Sequence, residues 1–129
     1  MTKAINVLEE IAGLPVLTAR SETTEADAAA AFAELSPFGN GAIFAGSFSG
    51  QSPWERHSNG DELVQILKGN TKLTLLNNDH EQQLDLAAGM IAVVPQGVWH
   101  RFYAPDGVTV MTATPQPTDI SFADDPTKD

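Results

Sequence analysis

The stretch PWERHSNGDELVQILKG, residues 53–69, decides the fold of this chain. It opens with polar residues and turns into a run of apolar ones. Glu55, His57 and Glu62 place three groups that bind metals or transfer protons within eight residues. Isolated charges are costly to bury at the start of a hydrophobic strand, and a metal or another partner would remove much of that cost.

Strand geometry predicts how these three groups meet. Side chains alternate along a strand, so Glu55 and His57 share a face. Ser58-Asn59-Gly60-Asp61 favours a tight turn, and Glu62 begins the next strand. A hairpin around that turn would return Glu62 to His57, so that one apolar barrel wall carries three potential metal ligands.

A second polar group lies in GMIAVVPQGVWHRFYA, residues 89–104. Its Pro-Gln-Gly sequence predicts a turn, and His100 enters the strand that follows. His100 and Phe102 share one face of that strand. A closed barrel would bring His100 against His57 and Glu62. The predicted pocket lining beside them is Val64, Ile66 and Phe102.

The pattern from residue 41 onwards is all-β. Short runs typical of strands are separated by turn residues about every eight to twelve positions, among them Gly69-Asn70 and Pro105-Asp106-Gly107. This spacing favours an antiparallel sandwich or barrel. Before it, helical spacing and a capping box at Thr24 and Asp27 predict two short helices with a short strand between them. The two helices cover residues 5–12 and 24–35, and the strand covers residues 14–18. We therefore expect an N-terminal helical extension over 1–40, a barrel over 41–115 and an extended or frayed tail over 116–129, in one domain.

Composition narrows the function classes. A chain of 129 residues with 42% hydrophobic and 19% charged residues fits one globular domain. The net charge of −10 disfavours nucleic-acid and anionic membrane partners. The absence of cysteine excludes disulfides and thiol catalysis. With neither a signal-peptide pattern nor a long apolar stretch, a cytoplasmic protein is the expectation.

The spacing of residues in and around the two polar groups resembles that of a known protein family. Gly69 lies seven residues after Glu62, and Glu62 lies five after His57. A second set keeps its own spacing, with Gly89, Pro95, Gly97 and His100. Together they resemble the two signature motifs of the cupin superfamily, a small double-stranded β-helix (jelly-roll) barrel. The resemblance covers about residues 45–115 and is specific because both motifs fit in order.

The chain departs from the cupin pattern at three positions. Glu55 occupies the place of the first histidine, Gly50 is one residue closer than the usual leading glycine, and Ala104 stands where asparagine is frequent. Cupins commonly hold a metal with three histidines and one glutamate. The ligands that the resemblance implies directly are His57, Glu62 and His100. Glu55 is implied by position alone.

Two imidazoles and one carboxylate suit a divalent ion with open positions, as in non-haem Fe(II) oxygenases. Fe, Mn, Ni and Zn all remain compatible with such a set. Glu55 is then a fourth ligand, a catalytic general base beside the ion, or a structural hydrogen-bond partner.

Three functions follow from this pattern. The first is a metal-dependent enzyme acting on a small oxygenated molecule by dioxygenation, isomerisation or lyase chemistry. The second is a small-molecule binding or sensor domain without turnover, and the third is a structural barrel that has lost its metal. Retention of two histidines and a glutamate argues against the third. The resemblance also suggests a homodimer, with the N-terminal segment and exposed aromatic residues as contacts.

Other conspicuous residues receive structural interpretations. His80 is expected to be a solvated turn residue and Asp61 part of its turn. Trp54 and Trp99 are expected on the face opposite the ligands, as core or dimer contacts.

Overall fold

The computed structural model describes residues 2–78 and 80–128. Its helices are α1 (Val7–Ile11) and α2 (Glu25–Ala31), with a 3-10 turn at Pro126–Lys128. Its strands are β1 (Leu17–Ala19), β2 (Phe32–Phe38), β3 (Gly41–Gln51), β4 (Trp54–His57), β5 (Glu62–Asn77), β6 (His80–Ala87), β7 (Ile91–Val94), β8 (Trp99–Pro115) and β9 (Thr118–Ser121). Within these residues no helix has the length and apolar character needed to span a membrane.

The long strand β8 organises the sheet. It pairs antiparallel with β3 on one side and with β5 on the other, and its first residues also meet β4. β5 pairs with β7 near its start and with β6 further along. The result is a curled, mainly antiparallel sheet, which confirms the predicted all-β barrel with short N-terminal helices.

Two predicted turns lie inside long strands. Gly69 falls within β5, where the register with β8 shifts, and Gly107 falls within β8. Gly69 has a φ of +75°, and a Cβ there would lie 2.5 Å from the Gly107 carbonyl oxygen. The glycines therefore allow the two strands to bend past each other, so the turn signals mark bends in continuous strands.

The N-terminal segment joins the barrel instead of forming a purely helical extension. The capping box forms as predicted, since Thr24 and Asp27 exchange hydrogen bonds between side chain and backbone. The helix ends at Ala31, however, and not at residue 35. Phe32 starts a strand that pairs with β3, and its ring stacks on Phe48 at 6.2 Å. The alanine run is helical as predicted, but this pairing and aromatic packing prevent the helix from continuing over residues 32–35.

The C-terminal segment is also ordered against the barrel. β9 pairs antiparallel with β4 along four residues, and the Trp54 indole donates a hydrogen bond to the Asp124 carbonyl oxygen at 3.1 Å. The predicted extended conformation is therefore present, but it belongs to the sheet. This pairing brings Thr118 opposite His57, at the edge of the polar site.

The hydrophobic core fills the barrel away from its polar end. Val64 and Ile66 are fully buried there, with no exposed surface. The core also contains Ala19, Phe48, Leu73, Leu75, Leu86, Ala92, Val94, Ala104, Val108 and Val110. Packed side chains fix the strands that carry the polar residues, so the site rests on a rigid support.

Candidate metal centre

His57, Glu62 and His100 converge inside the barrel. The Nε2 atom of His57 lies 3.3 Å from one Glu62 carboxylate oxygen, and the Nε2 atom of His100 lies 3.1 Å from the other. The imidazole centroids are 5.2 Å apart. All three side chains are buried, and their potential ligand atoms lie within 4.8 Å of one another. The cluster that the sequence predicted is therefore present as a geometric arrangement.

The strands reach this arrangement by a different route from the predicted hairpin. Among the described strands, β4 pairs with β8 and β9 and does not pair with β5. His57 ends β4, Glu62 begins β5, and His100 follows Trp99 at the start of β8. Glu55 lies opposite His100 in the β4–β8 pair. Strand β8, and not a hairpin, thus brings the two motifs together.

The two motif loops are also fastened to each other. The Gly97 amide donates to the His57 carbonyl oxygen at 2.9 Å. The Gln96 amide donates to the Asp61 carboxylate at 2.8 Å, and the Gln96 side chain donates to the Ser58 carbonyl oxygen at 2.8 Å. Asp61 therefore belongs to the turn, as expected, and also anchors the second loop. These bonds hold the histidine of the first motif next to the loop that precedes His100.

The far side of each imidazole ring has its own partner. His100 Nδ1 lies 3.0 Å from the Val98 carbonyl oxygen, which accepts but cannot donate, so Nδ1 carries the proton. His57 Nδ1 lies 3.0 Å from the Thr118 hydroxyl. With both Nδ1 atoms engaged in this way, the Nε2 atoms are directed at Glu62. This is the orientation in which histidines bind metals through Nε2.

The Glu62 carboxylate is stabilised in its charged form. Burial by itself raises its pKa, but the hydrogen bond from His100 and the contact with His57 lower the pKa well below its usual range. The Thr114 hydroxyl also donates to it at 2.6 Å, and Thr112 supports Thr114 at 2.7 Å. Burial likewise lowers the pKa of His100, but hydrogen bonding to Glu62 raises it overall. Glu62 is therefore an anion surrounded by groups that orient it.

One buried atom of the cluster is left without a partner. His57 Nε2 is buried and, among the described residues, makes no hydrogen bond, although the Glu62 oxygen is only 3.3 Å away. An unsatisfied buried nitrogen is costly. A divalent cation between the nitrogens and the carboxylate would satisfy this atom, and imidazole with carboxylate is a donor set that Fe, Mn, Ni and Zn accept. The residues thus fit a metal ion.

Glu55 lies beside this cluster and not within it. Its side chain lines the adjoining cavity, as its shared face with His57 predicts, but it is not among the three residues whose ligand atoms converge. Burial raises the pKa of Glu55, and the charges of Glu62 and Glu25 add to the rise, while His100 and His57 oppose it. A carboxyl group with a raised pKa beside a cluster of two histidines and a glutamate is suited to proton transfer.

A cavity of about 600 Å³ opens beside the cluster. Glu62, His100 and Glu55 form its polar end, and Phe102 belongs to its wall as predicted from its shared face with His100. The structure differs from the prediction for Val64 and Ile66, which lie in the core and not along the cavity. Both are inward-facing, but their part of β5 is covered by packed apolar side chains, so they do not reach the open space.

The opposite face of the same strands carries the tryptophans. The Arg101 guanidinium lies 4.3 Å from the Trp54 ring centroid, and the Arg56 guanidinium lies 4.4 Å from that of Trp99. Both tryptophans are therefore remote from the ligand face, as expected. His80 is exposed, at the start of β6 and not in a turn.

Comparison with known proteins identifies the family. The Cupin_2 family profile, described as "Cupin domain", matches residues 48–113, about half of the chain. The chain belongs to the cupin family. No curated protein sequence matches this cupin significantly.

Solved structures agree with the family. A cupin-2 domain containing protein from Shewanella frigidimarina is 21% identical, with a TM-score of 0.52 over 70% of this chain and 79% of that one. Hydroquinone 1,2-dioxygenase PnpCD, solved with Cd²⁺ and 4-hydroxybenzonitrile, is 14% identical, with a TM-score of 0.62 over 87% of this chain and 72% of that one. An oxalate decarboxylase is 15% identical, with a TM-score of 0.55 over 61% and 23%. At these identities the likeness establishes the fold of this cupin.

Sequence reasoning missed the residues that support the cluster. Thr112 and Thr114 share the inward face of β8, and their alternation in GVTVMTATP was a readable signal for two polar groups on one wall. Thr118 gave no comparable signal, because only the pairing of β9 with β4 brings it to His57. Gln96 was read as a turn residue, and its link to Asp61 depends on the packing of two distant loops.

Proposed function

We propose that this cupin is a divalent-metal-dependent enzyme acting on a small oxygenated molecule. His57, Glu62 and His100 would hold the ion, and Glu55 would act as a general base beside it. The observation that carries the proposal is the buried His57 Nε2 atom, directed at Glu62 without a hydrogen-bond partner among the described residues. A structural histidine would normally have such an atom satisfied.

The bound ion would supply Lewis-acid or one-electron chemistry at coordination positions open to a substrate. The chain's own residues prepare the site for this. Thr118 and the Val98 carbonyl oxygen hold the histidine rings in place, and Thr114 orients the Glu62 carboxylate. The cavity beside them has room for a small molecule.

Glu55 is the group best placed to move a proton. It faces the cavity two residues from His57, outside the converging ligand set. Its raised pKa brings it closer to the range where a carboxylate exchanges protons efficiently near neutrality. We therefore favour the role of general base over that of fourth ligand for Glu55. We also favour dioxygenation over isomerisation or lyase chemistry, because two imidazoles and one carboxylate form the facial triad of Fe(II) oxygenases.

The alternative is a binding or sensor cupin that uses the same cavity without turnover. This alternative is supported by the largely apolar cavity wall, in which Glu55 is the single group suited to acid–base catalysis. The two functions predict the same metal and the same ligand contacts. They differ in whether oxygen or substrate is consumed.

The direct test is metal analysis of protein purified without an affinity tag. We expect about one divalent ion per chain, strongly reduced in His57→Ala, as for a site built by three protein ligands. Oxygen uptake by the iron- or manganese-loaded protein, screened with small phenols, enols and diols, then separates enzyme from binding domain. Protein that takes up no divalent metal, with circular dichroism showing a folded barrel, would contradict the proposal.

The assembly is proposed to be a homodimer. β7 pairs only with β5 among the described strands, and its outward residues Ile91 and Val93 are 59% and 55% exposed. An apolar strand at a sheet edge is unusual on a free surface. A monomeric mass in light scattering at micromolar concentration would contradict this. A cytoplasmic location stays a prediction from the sequence.

A further inference from the structure

The cavity beside His57, Glu62 and His100 is lined by an excess of acidic side chains. Its described lining includes four carboxylate side chains and no lysine or arginine, so His100 is its only basic group. The four acidic residues are Glu25, Glu34, Glu55 and Glu62. Glu25 and Glu34 are exposed, whereas Glu55 and Glu62 lie deeper beside the histidines.

The arginines of β4 and β8 are directed away from this cavity. Arg56 contacts the Trp99 ring and pairs with Asp119 at 3.1 Å, and Arg101 lies over the Trp54 ring. Both alternate with cavity-facing residues along β4 and β8, so they occupy the outer face. They are held there by their own partners and therefore do not offset the charge inside.

The rest of the cavity wall is mostly apolar, with several hydroxyl side chains, and it contains a group of aromatic rings. Phe32, Phe48 and Phe102 form a connected group, with ring centroids 6.2 Å and 5.7 Å apart. The Phe102 ring also meets His100 edge-on at 6.2 Å. Such a wall favours a flat or ring-bearing ligand, because aromatic rings pack well edge-on and offset.

The charge of the cavity then limits which polar group such a ligand can carry. A divalent ion at the cluster compensates two of the four negative charges, and the net negative charge that remains around the cavity still disfavours an anion. Glu55 makes no hydrogen bond among the described residues, although its carboxylate faces the cavity. It is therefore free to accept a hydrogen bond from a ligand.

We infer that the cavity takes a small ring-bearing molecule whose polar group is an uncharged hydroxyl or a protonated amine, held by Glu55, and that it excludes carboxylates and phosphates. This inference rests on the proposed function, because it names the substrate class of the same site. It separates this cupin from enzymes whose substrates are small dicarboxylate anions.

The test uses three probes of similar shape and different charge: benzylamine, benzyl alcohol and benzoate. Calorimetry and ligand-observed NMR at neutral pH would measure their binding to metal-loaded and metal-free protein. We expect benzylamine and benzyl alcohol to bind at least about tenfold more tightly than benzoate in both forms, because like charges brought together at a binding site are strongly unfavourable.

Two variants locate the effect. Glu55→Gln keeps the size of the side chain and removes its charge, so we expect it to lose most of the preference for benzylamine over benzoate. Glu81→Gln removes the same charge from an exposed position on β6, outside this cavity, and is expected to keep the wild-type order. If both variants lost this preference equally, the net charge of the protein would explain it, and the inference would be overturned.

Other outcomes separate this inference from the proposed function. Benzoate binding as tightly as benzylamine, or no binding of any probe, overturns the inference even when the metal is present. Absence of metal with the charge order retained would overturn the proposed function and support the chemistry assigned to the cavity.

Discussion

The two faces of strands β4 and β8 differ in how completely their charged groups are satisfied. On the outer face, Trp54 lies opposite Arg101 and Arg56 lies opposite Trp99, since Glu55 pairs with His100 between them. Each arginine there has an aromatic partner. On the inner face, the buried Nε2 atom of His57 makes no hydrogen bond among the described residues.

The difference shows which polar groups support the fold and which are kept available. The arginines and tryptophans of the outer face can contact one another, because each contact adds a little stability and no ligand needs these side chains. Inner groups are buried at a cost, and the surrounding hydroxyls of Thr114 and Thr118 orient them without satisfying them all. Incomplete satisfaction on one face of an otherwise well-paired sheet is the physical mark of the site.

The largest expected effect is loss of the metal in Glu62→Gln. The amide keeps the shape but removes the negative charge and one ligand atom, so metal content should fall by more than about tenfold. The matched control is Asp119→Asn, which removes a carboxylate from the outer face, where it pairs with Arg56. Elemental analysis should show full metal in the control. Equal retention by both variants would show that the inner face is not a metal site.

Glu55→Gln should leave the metal in place and impair turnover. Because Glu55 lies outside the converging ligands, we expect metal content near that of the wild type, with a rate lower by about 10²–10⁴-fold if it is the base. The measurement is elemental analysis together with turnover of any substrate found by oxygen uptake. Metal loss comparable to that of His57→Ala would instead make Glu55 a fourth ligand.

Thr118→Val should weaken metal binding without removing it. The hydroxyl lies 3.0 Å from His57 Nδ1, and losing such a partner typically costs about 10–100-fold in metal affinity. Competition with a chromogenic chelator measures this, and Thr118→Ser should restore most of the affinity. The control is Thr109→Val, which breaks a hydroxyl pair with Ser47 elsewhere on the sheet. If that control weakens the metal equally, the effect is a general loss of stability.

The smallest effect is expected on the outer face. Arg101→Gln removes the contact with Trp54 and should lower the free energy of unfolding by about 1 kcal/mol, while metal content stays unchanged. Urea unfolding of the metal-free protein measures the change, with exposed Lys68→Gln as a charge control. Loss of metal in Arg101→Gln would show that the two faces are coupled and would weaken the contrast between them.

The sequence was a good guide wherever a local pattern carries the information. Alternation placed Glu55 with His57 and His100 with Phe102, and turn residues at regular intervals predicted the all-β barrel. The resemblance of both motifs to the cupin pattern implied the cluster itself. Local alternation failed for Val64 and Ile66, because it gives the face of a strand but not how far along the strand the open cavity extends.

Long-range pairing accounts for the other differences. The alanine run indicates a helix to residue 35, but pairing with β3 turns the chain into a strand at Phe32. Gly69 and Gly107 read as turns, yet they allow two long strands to bend closely past each other. In each case a contact with a residue far along the chain outweighed a local preference.

The sequence by itself determined the strand faces and the capping box at Thr24, because each depends on neighbours within a few positions. The resemblance of its two motifs to the cupin pattern indicated which three side chains converge. Only the tertiary structure decided that β9 would bring Thr118 to His57, that β8 rather than a hairpin would unite the motifs, and that each arginine would contact a tryptophan of the neighbouring strand. Those features depend on strand pairings between residues far apart in the chain, which local spacing does not encode.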